Sequence, residues 1–202
     1  ASGFGDATVR QVLDMTTGLK YSENYADPQA EVWQHARAGG ILPRPPGYAG
    51  PGSFYEFLRT VRKEGEHGQA FAYKTVNTDV LGWLIRRATG QTVGEVLSER
   101  IWQKLGAEQD AYLLIDSEGT EFAGGGFNPA LRDLARFGEM IRLGGYYNGQ
   151  QIVPRAVIDD IRRGADQAQF ARAGFKLLKG WSYRDMWWVS HNEHGAYSAR
   201  GV

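Results

Sequence analysis

A tyrosine at the start of a helix is the side chain of this sequence best placed to do chemistry. Tyr73 follows the short apolar run Ala70–Ala72, and apolar residues then recur at helical spacing. Asn77 and Thr78 both suit the N-cap of that helix, and Gly90 suits its end. A phenol at such a corner could transfer a proton during catalysis if a cation lowered its pKa, which is ordinarily about 10.

The adjacent Lys74 is the nearest cation along the chain. If the backbone at Tyr73 is extended, consecutive side chains point to opposite faces, so the Lys74 ammonium should lie away from the phenol. The cation must then come from elsewhere in the fold. The alternative role for Tyr73 is that of a buried aromatic residue with a satisfied hydroxyl.

The composition is that of a globular chain with a sizeable core. The 202 residues are 42% hydrophobic and 12% aromatic, which suits one large domain or two small ones. Lys+Arg and Asp+Glu are equal at 23 each, so the net charge does not favour nucleic acid or an anionic membrane as a partner. The sequence has no cysteine, which excludes disulfides, thiol nucleophiles and thiolate metal sites. No apolar run in it approaches the length of a membrane span.

Local signals divide most of the chain into helices. Capping boxes are predicted at Thr8, Ser53 and Thr92, each a hydroxyl residue followed three positions later by Gln or Glu. Further helices are predicted to start at Asp27–Pro28 and at Asn128–Pro129, where a capping residue precedes proline.

Two segments resemble ligand sites, but their context favours other roles. Gly124–Gly126 lacks the strand and the Lys-Ser/Thr pair of a phosphate loop, so we interpret it as a flexible loop beside a cavity. His191–His194 contains two histidines, but a turn would separate their side chains and no third ligand is evident. No metal site is therefore predicted.

The pattern changes from helical to extended near the end of the sequence. Trp181–Ser190 and Ala196–Val202 are predicted to be two strands joined by a turn at Asn192–Gly195. Trp187 and Trp188 are neighbours on the first strand, so they should face opposite sides of the sheet and only one needs to belong to the core.

Three segments, in this order along the chain, resemble those of the serine β-lactamase-like hydrolases, which include the penicillin-binding proteins. They are Val9–Leu19, where a helix ends in a Thr-Gly-Leu turn, the Tyr73–Gly82 motif, and the helix that contains Asp133–Gly138. The terminal hairpin is a fourth point of likeness. The resemblance implies that Tyr73 shuttles a proton between a serine nucleophile, the substrate and a lysine, and that Thr75 and Asn77 bind substrate.

Within this family the chain looks most like the 6-aminohexanoate-dimer hydrolases, which cleave nylon oligomers. The likeness rests on Glu23–Pro28, Asn77–Leu81 and the Trp187–Trp188 pair. It implies that Tyr25 donates a hydrogen bond to the nitrogen of the scissile amide. It also implies that Trp188 lines the substrate cleft.

The sequence departs from the family pattern at two of its motifs. The family nucleophile is the serine of an S-x-x-K motif, and none of the serines here has lysine three positions on. The third motif would fall at Ala199–Gly201 in a degenerate form, with the backbone N–H of Val202 as the implied oxyanion donor. Ala199 cannot supply the cation that gathers a β-lactam carboxylate, which argues against antibiotic hydrolysis. Together with the start at Ala1, the missing nucleophile suggests a fragment of a longer enzyme.

The expected fold is α+β, with residues 1–180 as the mainly helical region of the β-lactamase-like fold and residues 181–202 as a hairpin of its sheet. The expected function is that of a serine hydrolase cleaving linear amides or esters through an acyl-enzyme. A carboxylesterase, a D-amino-acid peptidase and a non-catalytic binding relative remain alternatives. We expect a small-molecule substrate, no cofactor, no nucleic-acid or membrane partner and a cytoplasmic protein; a homodimer is left open.

Overall fold

The computed structural model describes residues 2–200, and helices contribute most of its regular structure. The helices are Val9–Leu13 (α1), Glu31–Ala38 (α2), Phe54–Thr60 (α3), Val76–Thr89 (α4), Val93–Leu97 (α5), Gln103–Leu105 (α6), Leu131–Arg142 (α7), Arg155–Arg163 (α8) and Gln167–Ala171 (α9). A π-helical turn, Ser98–Trp102, joins α5 to α6. Within residues 2–200, no helix combines the length and the hydrophobicity that crossing a membrane requires.

The strands are short and pair in small antiparallel sheets. They are Leu19–Lys20 (β1), Arg62–Lys63 (β2), Tyr112–Leu113 (β3), Phe127–Asn128 (β4), Tyr146–Tyr147 (β5), Gln150–Gln151 (β6), Ser182–Arg184 (β7), Trp187–Val189 (β8) and Tyr197–Ser198 (β9). The first six form the pairs β1–β2, β3–β4 and β5–β6, and the last three form one sheet in the order β7-β8-β9. The α+β fold class is therefore confirmed.

Thr8, Ser53 and Thr92 cap their helices as predicted. Thr8 and Thr92 each form a complete capping box, which satisfies N–H groups that the first helical turn leaves free. The Ser53 hydroxyl caps α3 by accepting from the Glu56 N–H, whereas the Glu56 carboxylate accepts from the N–H of Gly52 instead of Ser53.

Three predicted helix starts were wrong by a few residues. Asp27 accepts a hydrogen bond from the Gln29 N–H in a turn, and α2 begins only at Glu31. Asn128 belongs to β4, and α7 begins at Leu131. In α4 the error has the opposite direction. The helix begins at Val76, before Asn77 and Thr78, the two residues that were predicted to cap it. In all three cases a short polar side chain makes a local or tertiary contact other than a helix cap.

The strand predicted at 181–190 is in fact a hairpin of β7 and β8. Asp185 and Met186 form its turn with φ angles of 49° and 68°, and Arg184 pairs directly with Trp187. Two consecutive positive φ angles are typical of a type I′ turn, which usually contains Asn or Gly. Because neither residue is present here, the sequence did not reveal the turn.

Three clusters of buried apolar residues form the core. The first lies among α1, α2, α3 and α4; the second lies among α6, α7 and α8. The third joins Met15 and Phe71 to Phe170, Tyr183 and Trp188, so the terminal strands pack directly on the helical region. The division of the chain at residue 180 stays a prediction.

A cluster of charged side chains anchors the β7–β8 turn to the helices. The Arg184 guanidinium donates to Asp160 from Nε at 2.8 Å and contacts it again from Nη2 at 2.7 Å. Its Nη1 donates to Asp14 at 3.0 Å, and Arg10 binds Asp185 in the turn itself. The cluster therefore links α1 and α8 to β7 and to the turn that follows it.

We expect Asp160→Asn to destabilise the protein at neutral pH by about 1–3 kcal/mol, the usual contribution of hydrogen bonds to a charged group. Burial alone would raise the pKa of Asp160, but the hydrogen bond and charge of Arg184, together with the charges of Arg10 and Arg163, lower it below the ordinary value. The stabilisation is therefore complete above the ordinary pKa of about 4 and is lost as the pH falls through the lower pKa of the folded state. Urea unfolding at pH 7 and at pH 3 should show the difference from wild type shrinking in acid; an equal difference at both pH values would contradict it.

Candidate active site

A cavity of about 980 Å³ lies between the helical region and the terminal strands. Its wall is largely apolar and aromatic, with a few charged side chains. The residues that line it are Glu23, Tyr25, Val32, Trp33, His35, Ala36, Ile41, Ala70, Phe71, Ala72, Tyr73, Thr75, Phe122, Gly124, Gly125, Arg172, Ala173, Phe175, Trp188 and Arg200. The volume and lining are those of a small-molecule site.

Tyr73 lies on the wall of this cavity. Its ring stacks on Trp188, with centroids 5.8 Å apart and planes at 19°, and meets Tyr183 edge to face at 6.3 Å. No described residue forms a hydrogen bond with its hydroxyl. Burial first, and then the negative charge of Glu23, raise the pKa of Tyr73. Among the described residues alone the phenol is therefore protonated at neutral pH, and its hydroxyl is available to donate a hydrogen bond to a ligand.

Lys74 points away from the cavity and into the helical region, as predicted. Its ammonium donates to the carbonyl oxygens of Thr17 at 3.1 Å and Leu19 at 2.6 Å. Burial lowers the pKa of Lys74, and the charge of Glu64 opposes that effect. Lys74 therefore holds the Tyr73 corner against β1, and it is not the cation that would activate the phenol.

Asn77 does not reach the cavity, contrary to the expectation that it binds substrate. Its side chain is fully buried; its Oδ1 accepts from the Thr17 hydroxyl at 2.8 Å and its Nδ2 donates to the Lys74 carbonyl at 3.0 Å. Both ends of the amide are thus used in joining the Tyr73 motif to the Thr-Gly-Leu turn after α1. The contacts that the Asn77 side chain makes within residues 2–200 are therefore structural ones.

A carboxylate that the sequence analysis did not assign joins two of the predicted site residues. Glu23 Oε2 accepts from the Tyr25 hydroxyl at 3.2 Å, and Glu23 Oε1 accepts from the backbone N–H of Thr75. Burial and then the charge of Glu23 raise the pKa of Tyr25 to about 12, so Tyr25 also stays protonated. An acidic residue two positions before a cleft tyrosine was the signal that could have indicated Glu23.

Trp188 lines the cavity within an aromatic wall, and its predicted place in a substrate cleft stays a prediction. It meets Phe71 and Phe175 edge to face, each at 5.6 Å, and only 8% of its surface is exposed. Trp187 faces the opposite side of the sheet and packs against Tyr197 in the second core. The two tryptophans therefore separate as their alternation on a strand predicted.

Three charged residues of the cavity wall form no ion pair with any residue in the described range 2–200. The Glu23 carboxylate accepts hydrogen bonds from two neutral groups, the Tyr25 hydroxyl and the Thr75 N–H. Arg172 donates to the Gln69 carbonyl at 2.6 Å, and the Arg200 guanidinium lies over the Trp181 ring at 4.7 Å. Within residues 2–200, the cavity wall thus has one negative and two positive charges that form no ion pair and could bind a ligand.

The remaining expectations concern the end of the chain. The predicted oxyanion donor Val202, and Gly201 of the degenerate third motif, lie outside the described residues. His191 is bound to the Ser182 hydroxyl, with Nε2 and Oγ 2.7 Å apart, and His194 is largely exposed. Across residues 2–200, no three His, Asp or Glu side chains group closely enough to hold a metal ion.

Comparison with known proteins relates the chain to one family. A family model described as Beta-lactamase matches residues 1–201. A 6-aminohexanoate-dimer hydrolase of Paenarthrobacter ureafaciens is 38% identical over 202 residues, which are 100% of this chain and 51% of that protein. The chain therefore spans about half the length of this relative.

Solved structures agree with the sequence matches. The structure of a candidate 6-aminohexanoate-dimer hydrolase from Bacillus anthracis superposes with a TM-score of 0.87 at 35% identity, covering 98% of this chain and 51% of that one. A D-stereospecific amidohydrolase from Streptomyces shares the fold, with a TM-score of 0.61 at 17% identity over 94% of this chain and 58% of its own. Together with the match of the family model to nearly every residue, these likenesses show that the chain belongs to the beta-lactamase family.

Proposed function

We propose that this chain forms the substrate cavity and supplies the proton-transferring tyrosine of a serine hydrolase that cleaves linear amides or esters through an acyl-enzyme. The observation that carries the proposal is the position of Tyr73, whose ring is fixed by Trp188 while its hydroxyl has no hydrogen-bond partner in residues 2–200. A fixed phenol on the wall of a cavity can exchange a proton with a bound substrate.

The proton transfers would run through Tyr73 in both halves of the reaction. In acylation, the phenolate accepts the proton of the attacking serine hydroxyl and then gives it to the leaving nitrogen or oxygen. In deacylation, it accepts a proton from the attacking water and returns it to the serine. Since burial and Glu23 raise the pKa of Tyr73, this scheme needs a cation close to the phenol, a place that the family resemblance gives to the lysine of S-x-x-K.

A linear amide with charged ends suits the cavity. The aromatic wall can cover a methylene chain, and the unpaired charges of Glu23, Arg172 and Arg200 can bind end groups of either sign. The relative from Paenarthrobacter ureafaciens is named for the dimer of 6-aminohexanoate, a molecule of this kind. A carboxylesterase of the same family is the second candidate, since an ester also fits the apolar wall.

The first test is an activity assay of the full-length protein. Wild type should hydrolyse a linear 6-aminohexanoate dimer or a short p-nitrophenyl ester, and one serine per chain should react with a fluorophosphonate probe. Absence of labelling and of turnover on both substrates would overturn the proposal in favour of a non-catalytic binding protein.

We expect Tyr25→Phe to lower amide turnover in the full-length protein by at least roughly tenfold, or about 1.4 kcal/mol of barrier, and to leave short esters nearly unaffected. Tyr25 is 50% exposed at the cavity. Its hydroxyl can therefore release its hydrogen bond to the Glu23 carboxylate and donate instead to the leaving nitrogen of an amide. An alkoxide leaves more readily than an amine, so an ester depends less on this donor. The measurement is kcat/KM for both substrates.

Tyr48→Phe is the matched control for Tyr25. It removes a tyrosine hydroxyl that donates to the Pro51 carbonyl at 3.0 Å and does not line the cavity, so neither substrate should be affected. Equal losses on amide and ester in Tyr25→Phe would show a structural role for Tyr25 and would favour the carboxylesterase.

A further inference from the structure

A buried ionisable pair forms part of the cavity wall, since His35 is one of the lining residues and Asp79 contacts it. Nε2 of His35 on α2 and Oδ2 of Asp79 on α4 are 2.9 Å apart, and the two side chains are only 3% and 2% exposed. The other ring nitrogen of His35 is 3.0 Å from the Tyr21 hydroxyl. Because burying ionisable groups is unfavourable unless they are paired, this arrangement calls for a role beyond filling space.

Asp79 also binds the glycine segment of the wall. Its Oδ1 accepts from the backbone N–H of Gly124 at 3.1 Å. Gly124 is so close to Thr75 that a Cβ added to it would stand 2.4 Å from Thr75 Cγ2. Asp79 therefore holds Gly124 in contact with Thr75, whose own N–H is bound by Glu23.

The contact between His35 and Asp79 depends on the packing around it. The two atoms are close, but they are not aligned as a hydrogen bond, and neither has another hydrogen-bond partner in the described chain. The imidazole is held between aromatic rings: it stacks on Phe57 at 4.9 Å and meets Phe122, a residue of the cavity wall, edge to face at 6.0 Å. A shift in the position of His35 or Asp79 would therefore also move residues of the cavity wall.

We infer that His35 and Asp79 are positioning residues that hold the segment Gly124–Gly125 against Thr75 and thereby set the width of the cavity and the acyl chain length it accepts. The inference rests on the proposed hydrolase function, because a width matters to catalysis only if a substrate occupies the cavity. Long acyl chains must pass along the wall, whereas an acetyl group needs only the space next to Tyr73. Substitutions in this pair should therefore change the preference between long and short acyl chains, and not only the overall activity.

The test compares two variants of Asp79 in the full-length protein. Asp79→Asn keeps an oxygen for the Gly124 N–H and an amide that can donate to His35, whereas Asp79→Leu has a similar size and offers neither. The measurement is the ratio of kcat/KM for p-nitrophenyl octanoate to that for p-nitrophenyl acetate. We expect the ratio to stay within about threefold of wild type in Asp79→Asn and to change by at least about tenfold in Asp79→Leu.

A second variant changes the same segment without altering the His35–Asp79 pair. In Gly124→Ala the new methyl group must push the segment away from Thr75, so the ratio should again change by at least about tenfold even if Asp79→Leu does not fold. Loss of stability alone lowers the folded fraction and affects both esters equally. An unchanged ratio in Gly124→Ala and in any folded Asp79→Leu would overturn the inference. Failure of wild type to hydrolyse either ester would instead contradict the proposed function.

Discussion

Tyr73→Phe should lower kcat of the full-length protein by about 10²–10⁴-fold on amides and esters alike, the range associated with loss of a general acid–base group. Phenylalanine keeps the ring that stacks on Trp188 and removes only the hydroxyl that faces the cavity. Both acylation and deacylation would lose their proton carrier, so the leaving group should matter little. KM should change less than kcat, because the apolar wall that binds the substrate is preserved.

Tyr183→Phe provides the matched control in the same aromatic cluster. Tyr183 is 4% exposed, meets the Tyr73 ring edge to face and directs its hydroxyl to the Met186 sulfur at 3.7 Å, and it is not one of the residues that line the cavity. Its removal should cost some stability but leave kcat of the folded protein within about threefold of wild type. Similar losses of kcat in the two variants would mean that the Tyr73 hydroxyl supports the structure and does not transfer protons.

The 202-residue chain by itself should hydrolyse neither amides nor esters. An acyl-enzyme requires a positioned nucleophile, and none of the serines in this sequence has lysine three positions on. A phenol alone supplies only roughly 10²–10⁴-fold catalysis, too little for measurable amide turnover.

The measurement is reaction of the 202-residue chain with a fluorophosphonate probe, followed by mass spectrometry. The full-length protein is the positive control and the same chain in denaturant is the negative one. Stoichiometric labelling of a serine in the folded chain, together with turnover of a p-nitrophenyl ester, would show that another residue is the nucleophile.

Sequence reasoning succeeded where the determinants of structure are local. The capping boxes at Thr8 and Thr92 are decided by side chains three residues apart, and both are present. The Tyr73 corner was found for the same reason, because an apolar run, a tyrosine and a helical pattern follow one another within a few residues. The alternation of Trp187 and Trp188 likewise needed only the geometry of a strand.

The errors arose where distant contacts determine the outcome. Asn77 resembles a substrate-binding residue of its motif, but Thr17, far away along the chain, engages its amide inside the core. The turn at Asp185 lacks the expected Asn or Gly, and Arg10 of α1 anchors it from outside the hairpin. Glu23 belongs to the candidate site because the fold brings the Thr75 N–H next to its carboxylate. None of these partners could be identified from spacing.

The opposite orientation of Trp187 and Trp188 makes two parts of the molecule thermodynamically interdependent. In β8, Trp187 packs in the second core and its neighbour Trp188 belongs to the cavity wall. Local opening of this strand would therefore remove one indole from the core and one from the wall at the same time. Regions that share such an element open together and have similar free energies of opening. The cavity wall therefore has little freedom to loosen independently of the α7–α8 core, and rigidity at the site is maintained by packing on the far side of the sheet.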